Sequence, residues 1–582
     1  MSLRLFPQPK SWQPSAGAFS PAHQWQPDQI ILSTPTPTWL KLKENSTLPA
    51  QGYELTIHPT GVDIHYACPL AKLYALQTLQ QLCQQYQALP CGTITDAPDY
   101  SARGILLDIS RDKIPTLAHL KQLIDFWSLC RINQLQLYTE HTFAWREHQR
   151  VWANKSPVTA EEIQQIDEYC QQRGIELLIN VATFGHMERW LAHPEYKHLA
   201  EQTTGFYDQR GDFRPFSFGL NPLSQQSVDF VSGLIDELVP NFSSKTININ
   251  FDETMDLGVD ASKAACEASS KGQVYVDYLN KILTLTQAKG LHTQIFSDML
   301  FQYPEILSQL PANLTLLNWG YEANHPYDEE HQQLAATGLP FHVVVSTCCF
   351  ASISGRWDNA KTHMLRAAKS GLAFGASGYH ISEWGDMGHA QQDIFPYAGY
   401  IYGAALAWGV EKHAEMDVEY WLNHLICHDE RAAYWAIRLQ NIYLDLAIET
   451  PNACFLGPLL FDQKFRRHLR RSNNLTESGF ANALQVVQTC LDELTAEHDS
   501  AWRQQLIFTA KLLQHGIKLG QQMLHQQTRE IEQFTPASKA ELAAQLEPLL
   551  EQYRQLWLQC NRSGGLQDST ARLEYLHQLY RA

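Results

Sequence analysis

Runs of apolar residues long enough to cross a bilayer are missing from this 582-residue chain. The longest stretch, Tyr397 to Val410, is closed off by Pro396 and Glu411 and falls short of the roughly 20 residues a membrane helix needs. The opening Leu3-Arg4-Leu5-Phe6-Pro7-Gln8-Pro9 lacks the apolar core of a secretory signal, so a cytoplasmic protein is expected. Positive charge is scarce as well: 44 Lys and Arg face 61 Asp and Glu, for a formal net charge of -17. That balance argues against nucleic acid and anionic membranes as partners and leaves neutral ligands open. Metal-type spacing is also absent. The 12 cysteines are scattered, neither Cys-x-x-Cys nor His-Glu-x-x-His occurs, and no glycine-rich loop could cradle a phosphate. Neither a metal nor an organic cofactor is expected, and the thiols read as free in a reducing compartment.

What the chain does have is a sustained alternation. After a small N-terminal unit comes a change of rhythm. That unit holds two alternating strands, Tyr53 to Ile57 and Gly61 to Tyr66, and a helix from Pro69 to Tyr86. From Arg103 onward, eight short and almost continuous apolar runs alternate with helical stretches. The runs are Ile105 to Ile109, Gln134 to Tyr138, Glu176 to Val181, Thr246 to Phe251, Thr293 to Phe296, Leu314 to Leu317, His342 to Val345 and Phe374 to Ile381. A strand buried on both faces in a parallel sheet has this character. Eight β-then-α units predict an α/β fold, a (β/α)8 TIM barrel over 99–412. A small α/β domain precedes it over 1–98 and an α-helical domain follows over 413–582. The Leu-striped helices of that last domain are expected to offer a homodimer face.

A barrel of this kind carries its active site at the C-terminal ends of its strands. Those positions here are rich in acids, histidine and tryptophan. Asp108, Ser110 and Arg111 follow the first strand, Thr139, Glu140 and His141 the second, and Thr183, His186 and Glu188 the third. The fourth ends in Asp252-Glu253 and the fifth in Asp298. The sixth ends in Asn318-Trp319-Gly320-Tyr321-Glu322. Arg356-Trp357 follow the seventh, and Glu383-Trp384-Gly385-Asp386 close the eighth. Carboxylates accept hydrogen bonds from hydroxyls and supply acid/base chemistry, while tryptophan offers a flat apolar face to a pyranose ring. Together they point to a sugar ligand.

Asp-Glu steps also occur at Asp167, Asp236, Asp328, Asp429 and Asp492, in helical or surface patterns. The step at Asp252 differs because it ends a buried strand. Adjacent strand residues point to opposite faces, so both carboxylates reach one pocket only if the chain leaves strand geometry at or next to Asp252.

With these residues in view, the segment from Tyr100 to about His389 resembles glycoside hydrolase family 20, the β-N-acetylhexosaminidases, in a bacterial branch. Tyr100-Ser101-Ala102-Arg103 through Ser110-Arg111 looks like the family's opening strand. Phe184-Gly185-His186, Asp252-Glu253, Trp319, Tyr321 and Glu383-Trp384-Gly385-Asp386 resemble its later motifs. Asn248-Ile249-Asn250-Phe251 departs from the family pattern, which has glycine just before the pair. Thr139-Glu140-His141 departs from the more usual Asp-Asp. The resemblance implies a retaining exo-hydrolase of terminal β-linked GlcNAc, with GalNAc as a second candidate, in which the substrate's own acetamido oxygen is the nucleophile. It implies Glu253 as general acid and Asp252 as partner of the acetamido N–H. Tyr321 would steer the acetamido oxygen, and Trp319, Trp384 and Trp357 would enclose the sugar. Arg103, Glu140, Glu383 and Asp386 would bind hydroxyls, with His186 supporting the pair. Two alternatives stand beside this reading. One is a retaining glycosidase with Asp298, Glu322 or Glu383 as nucleophile. The other is a catalytically silent sugar-binding barrel.

Overall fold

The computed structural model of the chain describes residues 3–21, 37–208, 211–448, 450–462, 475–495 and 500–582. Residues 22–36 of the expected first domain, and 449, 463–474 and 496–499 of the expected last one, lie outside the described residues.

The N-terminal unit is a five-stranded sheet made of β1 (Ser11–Phe19), β2 (Leu40–Glu44), β3 (Tyr53–His58), β4 (Gly61–Tyr66) and β5 (Leu89–Asp96), in the order β1-β5-β3-β4-β2. The period-2 pattern puts Tyr53, Leu55 and Ile57 inward. Helix Pro69–Gln85 meets them with Tyr74, Ala75, Leu79 and Leu82. Pro69 sits in the helix's first turn, where its missing N–H has no intrahelical partner to lose.

The second unit is a closed, all-parallel barrel. Its strands are β6 (Ala102–Asp108), β7 (Gln134–Tyr138), β8 (Glu176–Asn180), β11 (Thr246–Asn248), β12 (His292–Phe296), β13 (Leu314–Trp319), β14 (Phe341–Ser346) and β15 (Gly378–Glu383). The two-residue β9 (Phe206–Tyr207) and β10 (Phe213–Arg214) form a ribbon in the long loop after β8. Each apolar run expected from the sequence holds one strand. The eighth starts later than expected, at Gly378, because Phe374 caps the preceding helix. The fourth stops early, at Asn248.

The C-terminal helices, among them Glu430–Gln440, Glu477–Thr495, Ala501–His525, Pro536–Cys560 and Leu566–Arg581, share one continuous hydrophobic core with the barrel. On these helices Leu506, Leu513, Leu542, Leu546 and Leu573 are buried within the chain. Among the described residues no helix is long and apolar enough to cross a membrane.

The sheet and the barrel floor are joined by a buried charge cluster. Arg131 donates to Asp96 at 2.8 Å, with both side chains fully buried. Trp408 Nε1 also donates to Asp96 and its ring lies 4.2 Å from the Arg131 guanidinium. Arg103 belongs to this cluster, and here the structure corrects the expectation for it. It is the second residue of β6, at the N-terminal end of the barrel. There it donates to the Tyr100, Ser101 and Arg131 carbonyls, to Gln51 Oε1 and to the Tyr74 hydroxyl. It faces the small domain and lies a whole strand length from the C-terminal ends of the strands.

Removing one partner of a buried ion pair leaves a charge uncompensated. Asp96→Ala is therefore expected to cost on the order of 3–5 kcal/mol, read as a lowered midpoint of the first urea transition. Trp408→Phe keeps the ion pair and should cost markedly less. Equal midpoints for the two variants would show that Asp96 carries no more than one neutral hydrogen bond.

Candidate active site

The polypeptide breaks strand geometry where the two carboxylates need it to. After Asn248, residues Asn250, Phe251 and Glu253 all take positive φ, at 63°, 70° and 47°. Such backbone costs about 1–3 kcal/mol per residue and persists only where its surroundings over-determine it. Here they do. Asn250 N donates to its neighbour Asn248 Oδ1 at 2.9 Å, Phe296 N donates to Asn250 O at 2.8 Å, and Tyr275 donates its hydroxyl to Phe251 O at 3.0 Å. The Phe251 ring is held by Phe184, Tyr275 and Tyr278. Beneath it an amide network fills the barrel: Gln136 Oε1 accepts from Asn180 and Asn248 at 2.9 Å each, and Gln136 Nε2 donates to Gln294. Asn250 thus supplies the left-handed backbone for which glycine is the usual residue, and asparagine is among the few side chains that tolerate it.

The break turns both carboxylates to one pocket. His186 Nε2 lies 3.4 Å from Asp252 Oδ2 and 3.4 Å from Glu253 Oε2. His186 is itself left-handed, at φ 58°. It comes this close because Gly185 has no side chain, and a Cβ there would stand 2.8 Å from the Asp252 carbonyl oxygen. Burial would lower the His186 pKa, but the Asp252 and Glu253 carboxylates overcome it and hold the ring well above the usual histidine value.

Below the pair sits Asp298, whose Oδ2 accepts the Glu253 backbone N–H at 2.9 Å. Burial and the Asp252 charge push its carboxyl up to about 8, against the opposing Glu253 N–H and the Trp319 indole. It is a neutral acid at pH 7.

Arg111 occupies the other side of the pocket. It donates to Asp108 at 3.2 Å, pairs with Glu140 at 3.1 Å and lies 3.3 Å from His186 Nδ1. Its guanidinium stacks 4.6 Å from the Tyr138 ring and 5.4 Å from Trp384. Asp108 also accepts the Ser110, Arg111 and Gly385 backbone N–H groups, which ties the first strand's loop to the eighth's. Burial raises Glu140 to about 7, with Arg111 opposing. Burial also raises Asp386, again opposed by Arg111, so this acid lies in the same electrostatic neighbourhood. The aromatic wall is continuous. Trp319 stacks on Tyr321 at 5.3 Å, and Trp384 donates its indole N–H to the Tyr321 hydroxyl at 2.9 Å while packing edge-on against Tyr138.

Of the residues expected at the site, Asp252, Glu253, Glu140, His186, Trp319, Tyr321, Trp384 and Asp386 come together. Three do not. Arg103 is at the far end of the barrel, and the arginine in the pocket is Arg111. The strand-end rule already pointed to Arg111, since it follows β6 while Arg103 begins it. Glu383 lies on the outer face of β15 with Tyr379, which bonds to Met364 O, and Ile381, which abuts Gly403. It accepts from Thr347 and Gln391 beside a cavity of about 40 Å³ behind the barrel wall. The inward residues of that strand are His380, Ser382 and Trp384, as period-2 alternation requires. Trp357 packs its ring 6.0 Å from Tyr402, between helices Trp357–Ala373 and Pro396–Trp408, and so lies outside the pocket.

Among the described residues, one group could offer metal ligands: His119, Asp393 and Cys560, with ligand atoms within 4.8 Å of one another. Asp393 already has the Lys113 ammonium at 3.5 Å and the Cys560 thiol as partners. The trio lies behind the wall, where it docks the end of helix Pro536–Cys560.

Comparison with known proteins gives a family and a fold. The family model "Glycosyl hydrolase family 20, catalytic domain" matches residues 100–392, and "Glycosyl hydrolase family 20, domain 2" matches residues 27–97. A beta-hexosaminidase of Akkermansia muciniphila is 26% identical over 254 residues, 39% of this chain and 51% of that protein. One from Vibrio furnissii is 25% identical over 296 residues, covering 44% and 45%. The chain thus spans about half the length of these curated relatives. Among solved structures, a chitobiase of Flavobacterium johnsoniae matches 98% of this chain and 99% of its own, with a TM-score of 0.59 at 16% identity. An exo β-N-acetylglucosaminidase of Vibrio harveyi, in complex with N-acetylglucosamine, matches 72% of this chain and 77% of its own, with a TM-score of 0.56 at 15% identity.

Because the Asp298 pKa is raised from 3.8 to about 8, the stability it contributes is complete below 3.8 and is lost as pH rises towards 8. The neutral acid should also be the form that suits the pair, since its ionisation adds a third negative charge. The specificity constant is expected to fall as pH passes about 8. Asp298→Asn, locked neutral, should keep activity at pH 6 and lose that descent. Identical alkaline limbs for wild type and variant would remove Asp298 from the titration.

Proposed function

The chain belongs to glycosyl hydrolase family 20, and from that membership we propose that it is a retaining exo-β-N-acetylhexosaminidase. It hydrolyses terminal β-linked 2-acetamido sugars, with GlcNAc the first substrate and GalNAc the second. The observation that carries this reading is the convergence of Asp252 and Glu253 on one imidazole nitrogen, that of His186, at 3.4 Å each. Of the two, Glu253 has its side chain 43% exposed and Asp252 only 12%. That division suits an outer acid that reaches the glycosidic oxygen and an inner carboxylate that grips the acetamido group.

In this mechanism Glu253 gives its proton to the leaving oxygen as the C1–O bond breaks. The substrate's acetamido oxygen attacks C1 from the opposite face, and the amide N–H, polarised by Asp252, becomes part of an oxazoline or oxazolinium ring. The Tyr321 hydroxyl steers the acetamido oxygen. Glu253 then takes a proton from water, which opens the ring at C1 and restores the β configuration. Arg111, Glu140 and Asp386 hold the hydroxyls of the terminal sugar, and Trp319 and Trp384 cover its apolar faces.

The reading with an enzyme carboxylate as nucleophile is weaker because its candidates are committed elsewhere. Glu322 is held by Arg356 through two hydrogen bonds of 2.8 and 3.0 Å, Asp298 is a neutral acid under the Glu253 N–H, and Glu383 faces out of the barrel. The intact acid pair disfavours a silent barrel. A cytoplasmic setting is supported by twelve free cysteines, and short chitobiose-like oligosaccharides are then the fitting substrates.

The test is hydrolysis of an aryl 2-acetamido-2-deoxy-β-glucoside beside the plain β-glucoside, by wild type, Asp252→Asn and Glu253→Gln. We expect cleavage of the acetamido sugar alone, and a drop of about 10²–10⁴-fold in kcat for Glu253→Gln, the range for removing a general acid. Asp252→Asn should lose a comparable share. Cleavage of the plain glucoside at a similar rate would return the nucleophile to the enzyme.

A further inference from the structure

The family model ends at residue 392, so the C-terminal helices lie outside the matched region. Their closing segment, residues 560–572, is nevertheless wedged among the loops that carry the sugar-binding side chains. Thr116 N donates to Cys560 O at 2.9 Å and Arg562 N donates to Ile114 O at 2.8 Å, which stitches the segment to the loop after β6. Gly564 N donates to Ser156 Oγ at 2.9 Å, on the loop after β7. Gly565, at φ 78°, lies so close to the loop after β6 that a Cβ would stand 1.9 Å from Asp112 O.

Asp568, at the start of helix Leu566–Arg581, binds Lys155 of the β7 loop and also accepts from Arg189 Nη1 at 3.2 Å, on the segment after His186. The other arm of Arg189 reaches Asp112 Oδ1 at 3.1 Å, next in sequence to Arg111. Ser569 donates its hydroxyl to Gly388 O, two residues beyond Asp386, and is itself held by Tyr553 at 2.7 Å. The backbone these contacts fix is strained: Asp112, Met387 and His389, all non-glycine, have positive φ. Outside support is what keeps such conformations in place.

We infer that Asp568, through Arg189 and Asp112, and Ser569, through Gly388, are positioning residues that fix Arg111 and Asp386 in the half of the pocket that binds the terminal sugar's hydroxyls. The C-terminal helices are thus a working part of the site. Asp252, Glu253, Asp298, Trp319 and Tyr321 stand on loops that this segment does not touch in any contact described above. A loosened Asp568 should therefore weaken recognition of the sugar more than the chemistry on it. The inference rests on the hexosaminidase reading, and the experiment separates the two.

Full-length wild type, Asp568→Ala, Asp568→Glu and Ser569→Ala would be assayed on the aryl acetamido glucoside, with melting temperatures measured in parallel. For Asp568→Ala we expect KM to rise about tenfold while kcat stays within about threefold, with Asp568→Glu restoring most of the loss. Ser569→Ala, which deletes one hydrogen bond and keeps the helix start, should raise KM in the same sense and stands in if Asp568→Ala does not fold. A lowered melting temperature with KM and kcat both unchanged would overturn the inference, as would a loss confined to kcat. Wild type that does not cleave the acetamido substrate at all would instead indict the function.

Discussion

Everything at the pocket depends on the chain leaving β geometry between Asn248 and Thr254. Alternation with period two would send Asp252 and Glu253 to opposite sides of the barrel wall. Left-handed backbone at Asn250, Phe251 and Glu253 removes that restriction. It is held from below by the Gln136, Asn180 and Asn248 amides and from outside by an aromatic cluster on Phe251. The polar filling of the barrel at this level follows from the same need. Amides can satisfy one another and the backbone of an irregular loop, which aliphatic side chains could not do.

The second constraint is charge. Asp108, Glu140, Asp252, Glu253, Asp298 and Asp386 crowd a small volume, and the Arg111 guanidinium and the His186 ring stand among them. The arrangement resolves by making the acids unequal. Burial and the Asp252 charge push Asp298 up to about 8, while burial raises Glu140 to about 7 against the opposing Arg111. Unequal neighbours let one carboxylate serve as acid while another remains an acceptor.

Much of this was legible in the sequence, because the signals involved are local. Eight apolar runs gave eight strands, and the rule that sites gather at strand ends selected most of the pocket. The failures are equally physical. Arg103 and Arg111 lie on the same strand-and-loop unit, and a motif match does not say which end of a strand faces the substrate. Strand direction does, and it favours Arg111. Glu383 and Trp384 are neighbours, so one had to face away, and the sequence has no mark for which. The structure supplies the answer through the partners of Tyr379 and Ile381. Asp298 was visible as an acid but not as a neutral one, since its pKa is set by Asp252 from another strand.

The C-terminal helices show the same limit at larger scale. Periodic leucines state that a helix buries one face but not against what. Read alone, the stripe on Leu506, Leu513 and Leu546 fits a partner chain as well as it fits the chain's own barrel. The two differ in what surrounds the stripe. Here the polar residues at the ends of the helices are already matched to the barrel: Arg562 makes two hydrogen bonds to Glu162, and Asp568 joins Lys155 and Arg189. Such pairs add little energy where exposed, but they fix register. The apolar core sets how tightly the helices bind the barrel, and these ion pairs set where they sit, close against the loops of the pocket.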